Sequence, residues 1–204
     1  MAVKYATEAF VFNKENNMEA DRIFSVFTKE FGRLEVSGKA IRKIDSKLRG
    51  GIDLFSFCEI EFIQGKSKKT LTDVFPRQRF VHIAQDPEKY AIARRICQLV
   101  QACIHGQEKD ERILDLLVDV FSKLNAGKAR KLIYYYFFWN FIALLGYEPE
   151  IKSMEISEEV AIVLALIMKK DWVALDALII SVATQKVFQE VSEKYYSRVM
   201  ESHA

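Results

Sequence analysis

The chain lacks the marks of most chemistries. Its three cysteines, Cys58, Cys97 and Cys103, are odd in number and none has the two- to four-residue spacing of a structural zinc pair. No disulfide framework and no metal site are therefore expected, and a reducing cytosol is the simplest setting. The histidines, His82, His105 and His203, are scattered. There is no Ser/His/Asp signature, no Gly-x-Gly-x-x-Gly and no Gly-x-x-x-x-Gly-Lys-Ser/Thr loop; Gly127-Lys128 lacks both the upstream glycine and the following hydroxyl. Neither catalysis nor a cofactor is expected. The longest apolar runs, 160–168 and 132–139, fall short of the roughly 20 residues of a bilayer span and read as buried helices. The first residues contain no apolar signal core. A cytoplasmic, nonmembrane protein is expected.

What is present is a foldable chain with uneven charge. Of 204 residues, 50% are hydrophobic and 28% charged, with a net charge of +2. Residues 1–80 hold 15 Lys and Arg against 11 Asp and Glu, whereas residues 81–204 hold 15 against 17. Any polyanion contact is expected in the first part.

That first part reads as strands. Leu34, Val36, Gly38 and Ala40 alternate with Arg33, Glu35, Ser37 and Lys39. Cys58, Ile60 and Phe62 alternate with Glu59 and Glu61, a carboxylate pair of the kind sheet edges often carry. Residues 10–12, 23–28 and 70–75 are further β-type runs, and Gly32, Gly50-Gly51 and Gly65 stand where turns are needed. Five short strands suit a small barrel of the OB type; a short open sheet fits the same alternation.

Near residue 85 the period changes. Asp86-Pro87-Glu88 is a helix start, followed by a stripe of Ile92, Ile96, Leu99 and Cys103. A second stripe holds Ile113, Leu116, Leu117, Val120, Phe121 and Leu124 and stops at Asn125 and Gly127. A third helix is expected from about Lys128 to Leu145, a fourth from Ser157, and one or two more beyond Trp172. The expected class is α+β with two domains: an OB-type five-stranded barrel over residues 1–80 and an all-α domain over 81–204, joined near residues 77–86.

One segment stands out for function. Between residues 39 and 49 lie five cations, Lys39, Arg42, Lys43, Lys47 and Arg49, against one acid, Asp45. The stretch has no helical apolar face to bury, so its charges face water or a polyanion. Lysines and arginines that neutralise phosphates gain affinity through counterion release without reading base sequence. A solvated loop with unrelated charges is the bland alternative. Exposed aromatics on OB barrels stack bases; Tyr5, Phe10, Phe12, Phe24, Phe27, Phe55 and Phe57 are available, most of them needed for the core. The run Tyr134-Tyr135-Tyr136-Phe137-Phe138-Trp139 points in every direction on a helix, as a central buried helix would. Lys128, Arg130 and Lys131 near that helix's start oppose its dipole and suggest an anionic partner; a solvated helix end is the default.

Ordered fragments across the chain resemble the bacterial RecO family. They include Glu19-Ala20-Asp21-Arg22-Ile23, residues 27–34, Lys39, Arg42 and Ser46-Lys47-Leu48-Arg49-Gly50. Residues 54–61, Leu71-Thr72, Tyr90-Ala91 and Leu144-Leu145-Gly146-Tyr147-Glu148-Pro149 continue the series. The resemblance implies an N-terminal OB domain, a helical C-terminal domain and a non-catalytic mediator of DNA repair, recombination and the DNA damage response, associated with the nucleoid. It implies binding to single- and double-stranded DNA and annealing of complementary strands. It also implies partnership with RecR and with the acidic tail of single-stranded DNA-binding protein in loading recombinase. Carried over by position, Arg33, Lys39, Arg42, Lys43, Lys47 and Arg49 would touch phosphates. The chain departs from the pattern in three places. The four-cysteine zinc module many members insert after the Leu-Leu-Gly-Tyr-x-Pro stretch is missing; Ala40 replaces the usual glycine, so that turn is expected to differ; and the end matches poorly. A protein-interaction scaffold whose OB fold has lost DNA affinity, or an RNA-binding OB module, would share these features.

Overall fold

In the computed structural model, residues 3–107, 109–127 and 130–201 are described, without the side chains of Arg130 and Lys131. The chain forms two compact units, Met1–Asn125 and Ala126–Ala204.

The first unit is a closed barrel of β1 (Lys4–Asn17), β2 (Asp21–Thr28), β3 (Gly32–Gly38), β4 (Ser56–Gln64) and β5 (Lys69–Arg79), in the order β1-β2-β3-β5-β4. Closure is by a short parallel pairing of β3 with β5, Val36 with Lys69 and Ser37 with Thr70. This is an OB-type barrel, and the open-sheet alternative falls away. The alternating residues do what period two demands: Ala9, Val11, Phe24, Val26, Leu34, Val36, Cys58, Ile60, Phe62 and Leu71 fill the interior. Burial pushes the Cys58 thiol up to about 12.

The alternation over residues 33–40 overshoots at its end. β3 stops at Gly38, and Ala40 has φ 51°, a left-handed conformation that glycine adopts without strain. The turn thus holds Ala40 in a glycine-type backbone, with the Ala40 N–H donating to Asp21 Oδ1 at 2.7 Å.

Three helices complete this unit: α1 (Val81–Gln85), α2 (Pro87–Cys103) and α3 (Glu111–Ala126). Asp86 caps α2, its Oδ1 accepting from the N–H groups of Glu88 at 3.0 Å and Lys89 at 3.3 Å; such a cap is worth ~1 kcal/mol. The change from strand to helix falls at Phe80–Val81, but the compact unit runs on to Asn125. The reason is an aromatic cluster on the outer face of β1. Phe10 meets Phe121 at 4.6 Å between ring centroids and Phe80 at 6.3 Å, and Phe55 meets Phe121 and Tyr90, both at 5.5 Å. The middle of β1 is therefore buried on both faces, Ala9 and Val11 inward and Phe10 against Phe80 and Phe121.

The second unit holds α4 (Arg130–Leu144), α5 (Glu158–Met168), α6 (Trp172–Ala177) and α7 (Val182–Glu201), with a 3-10 turn at Ile151–Ser153. α4 packs against α5 and α7. Of the aromatic run, Tyr134 is half-buried and residues 135–139 are buried, so the central-helix reading holds. Trp139 Nε1–H donates to Ser192 Oγ at 3.1 Å, and Asn140 Nδ2–H donates to the carbonyls of Tyr136 at 2.9 Å and Ile167 at 3.2 Å. The polar atoms inside this core are thereby satisfied at little expense to packing. Among the described residues no helix is long and apolar enough to cross a membrane.

Candidate nucleic-acid interface

Residues 39–55 leave β3 and return to β4 as a chain of turns, not a slack loop. The N–H of Arg42 donates to Ala20 O at 3.0 Å and that of Lys43 to Ala40 O at 3.1 Å. Ser46 then bonds Lys43 O at 3.2 Å, Arg49 bonds Ser46 O at 3.2 Å, and Gly51 bonds Leu48 O at 3.0 Å. Each closes an i to i+3 turn, which fixes the backbone locally. Apolar anchors tie these turns to the barrel. Ile41 and Ile52, 2% and 4% exposed, join its core, and Leu48 packs against it. Two glycines allow the close approach: a Cβ on Gly38 would lie 3.0 Å from Ile41 Cδ1, and one on Gly51 would lie 2.9 Å from Val74 Cβ. The Arg79 guanidinium donates to Gly50 O and ties the segment to β5.

With the apolar residues turned inward, Lys39, Arg42, Lys43, Lys47 and Arg49 are all exposed. Among the described residues none of the five forms an ion pair. Ile44, 92% exposed, stands among them. Hydration of an apolar side chain is unfavourable, so Ile44 would gain by contact with a partner, although single exposed hydrophobics are common on protein surfaces.

Arg33 is not brought together with this group. Its guanidinium donates to Gln101 O at 3.1 Å and Ile104 O at 2.6 Å, and lies 5.7 Å from the Phe12 ring centroid. It closes the carbonyl end of α2, where a cation also meets the negative end of the helix dipole. Lys128 lies outside the described residues, as do the side chains of Arg130 and Lys131.

The aromatics divide as a small barrel requires. Phe10, Phe12, Phe24, Phe27 and Phe55 are buried, Phe57 is half-buried, and Tyr5 stacks on Phe62 at 5.4 Å. Phe75 on β5 is 46% exposed and was not among the sequence candidates. It sits opposite Glu59 in the β4–β5 register, on a face that also carries Glu8, Glu61 and Asp73. These acids are partly matched: Glu59 by Arg77 at 2.5 Å, Glu8 by Lys29 at 3.9 Å, and Glu61 by Lys4. The outer β1–β4–β5 face thus presents carboxylates, unlike the turns at 39–55.

A further cation group escaped the sequence reading. Lys66 and Lys68 are exposed and Lys69 is half-buried, on the turn between β4 and β5. Three lysines within four positions after Gly65 were a legible signal, but the pairing of Lys69 with Val36 of β3 was not.

In the helical unit, a groove of about 750 Å³ runs past Tyr147, Met154, Val191, Lys194, Tyr195 and Arg198. It is also lined by Glu148, Glu150 and Glu155, so its carboxylates outnumber its cations. Among the described residues no group of three or more His, Cys, Asp or Glu could hold a metal ion.

Two family models match in chain order. That described as "Recombination protein O N terminal" covers residues 1–80, and "Recombination protein O C terminal" covers residues 84–153. Among curated relatives, the DNA repair protein RecO of Dehalococcoides mccartyi is 30% identical over 149 residues, 73% of this chain and 59% of the relative. The proteins of the same name from Chlorobium phaeobacteroides and a Roseiflexus species are 31% and 29% identical, over 60% and 52% of their own lengths. The chain thus spans a little over half the length of these curated relatives. The two matched halves follow one another as the barrel and its helices do, and the chain belongs to the RecO family.

Proposed function

We propose that the chain is a non-catalytic DNA repair mediator that binds single- and double-stranded DNA through the turns at 39–55 without reading base sequence. The observation that carries this reading is the set of five exposed cations, none in an ion pair among the described residues, on a backbone pinned to the barrel. A backbone already held in turns loses little conformational entropy on meeting phosphates, so counterion release is retained as affinity. The names of the relatives, DNA repair proteins, support the same role. Two strands held on one basic surface have their mutual repulsion screened, which accelerates annealing. The whole chain would then help load recombinase on DNA coated by single-stranded DNA-binding protein, with a RecR-like partner, in the cytoplasm.

Within the set, Lys39, Arg42, Lys43, Lys47 and Arg49 are the phosphate contacts of this proposal, and Arg33 acts through the fold. The helical groove, with more acids than cations, is a poor match for an acidic protein tail; Lys128, Arg130 and Lys131 remain the proposed contact for it.

The test is annealing of complementary oligonucleotides without nucleotide, comparing the native chain with Arg42→Glu/Lys43→Glu. Acceleration by the native chain that the double change abolishes is the expected result. A native chain that does not accelerate annealing would sink the mediator reading and favour a protein scaffold. Stronger binding to structured RNA than to DNA would favour the RNA reading.

A further inference from the structure

We propose that Tyr90 on α2 is a base-stacking residue, holding one unpaired nucleobase of a single strand whose phosphates lie on the turns at 39–55. The inference rests on the DNA-binding reading above. It adds a contact with bases rather than phosphates, made by a helix outside the barrel.

Tyr90 is 40% exposed, although it belongs to the aromatic cluster that joins the helices to β1. Its neighbour in that cluster is Phe55, the last residue of the turns, which is 4% exposed. The two rings meet edge to face, with centroids 5.5 Å apart and planes at 65°. Phe55 also meets Phe121 at 5.5 Å, and its N–H donates to Val11 O at 2.9 Å. Its backbone has φ 58°, a left-handed conformation that a bulky side chain adopts only at a cost. A strained residue is thus kept where its ring supports that of Tyr90. The Tyr90 N–H donates to Asp86 O at 2.9 Å, which fixes the backbone on the other element. A ring ordered in this way and still in water offers its surface to a base at little further cost in conformational entropy.

Cations lie near this position. Arg79 pairs with Ser56, the residue after Phe55, and its guanidinium donates to Gly50 O within the turns. Arg94 stands one helical turn beyond Tyr90 on the same face of α2. Neither forms an ion pair among the described residues. Of the acids nearby in sequence, Asp53 is taken by Lys14, and Asp86 accepts from the N–H groups that begin α2. The turns, Arg79 and Phe55 all belong to the end of the barrel where β3 and β5 stop and β4 begins. A single strand offers bases free to stack there. Within a duplex each base is already covered by its neighbours, so Tyr90 adds affinity for single strands alone.

The test measures binding of the native chain, Tyr90→Phe and Tyr90→Leu across a salt series. The probes are a thymidine oligonucleotide, an abasic oligonucleotide of the same length and a duplex. Leucine keeps an apolar side chain against Phe55 but has no ring to stack, and thermal melting of each variant verifies folding. The native chain and Tyr90→Phe should prefer the thymidine strand to the abasic strand by about tenfold. Tyr90→Leu should lose most of that preference. Its binding to the abasic strand and the duplex should not change, nor should its slope of log affinity against log salt, because stacking releases no counterions. Equal binding of the two strands by the native chain would overturn the proposal while leaving the phosphate contacts in place. So would a Tyr90→Leu variant that retains the preference, or one that weakens all three probes alike, as a merely structural role would. Absence of DNA binding by the native chain would overturn both this inference and the mediator reading.

Discussion

The barrel unit turns its apolar residues inward on alternate positions and collects cations in two connecting segments, none of them in an ion pair among the described residues. The helical unit instead buries one helix, α4, on nearly every side, and its groove mixes lysine and arginine with a larger number of carboxylates. In the first, packing and the proposed contact surface are separable: the anchors Ile41, Leu48 and Ile52 face the core while the cations between them face water. In the second, the most distinctive residues are the core itself. Substitutions in the two units should therefore damage different properties.

The largest effect is expected at Trp139. Trp139→Ala removes a fully buried ring and leaves Ser192 without its indole donor, and should destabilise the helical unit by about 3–5 kcal/mol in urea unfolding. A loss below about 1 kcal/mol would contradict the central packing of α4. Next comes Arg42→Glu/Lys43→Glu. It should lower single-strand affinity by about a hundredfold at low salt, while melting stays within about 0.5 kcal/mol of native because both side chains are exposed. Loss of stability in step with affinity would mean that surface and packing are not separable there.

Arg33→Ala sharpens the comparison from the other side. It removes charged hydrogen bonds to the end of α2 and should cost about 1.5–3 kcal/mol of stability, with DNA affinity of the folded protein unchanged in a filter-binding titration. A large affinity loss at native stability would return Arg33 to the contact set. A smaller gain is expected from Ala40→Gly, which relieves the left-handed backbone and should stabilise by about 1 kcal/mol in thermal melting. The smallest signal is chemical. With its thiol pushed up to about 12 by burial, Cys58 holds almost no thiolate at pH 8, and mass spectrometry after alkylation should find it modified only when the barrel opens.

Much of the architecture was legible because local chemistry and tertiary structure agree. Cys58, Ile60 and Phe62 alternate in sequence and in space, and Asp86-Pro87-Glu88 starts a helix where capping chemistry says it should. β1 was under-read as residues 10–12 because its middle is apolar on both faces, one toward the barrel and one under α3, and so shows no alternation. Closure of the barrel rests on two pairs between β3 and β5, which leave no local mark. The five cations of the turns were legible as charge, and they are exposed because Ile41, Leu48 and Ile52 take the inward positions between them. Arg33 reads as one more cation because the carbonyls it meets, on Gln101 and Ile104, lie 68 and 71 residues away. Lys66, Lys68 and Lys69 were visible as composition, but only the register of β5 on β3 places Lys69 opposite Val36.

The anchoring of residues 39–55 also governs how that segment opens. With Ile41 and Ile52 inside the barrel and the Arg42 N–H bonded to Ala20 O, the turns cannot lift away without exposing core residues. Hydrogen exchange at the amides of Arg42 and Gly51 should therefore follow the opening of the barrel rather than run ahead of it. A surface segment full of trypsin cleavage points would then owe its survival to two isoleucines that no protease or DNA strand ever sees.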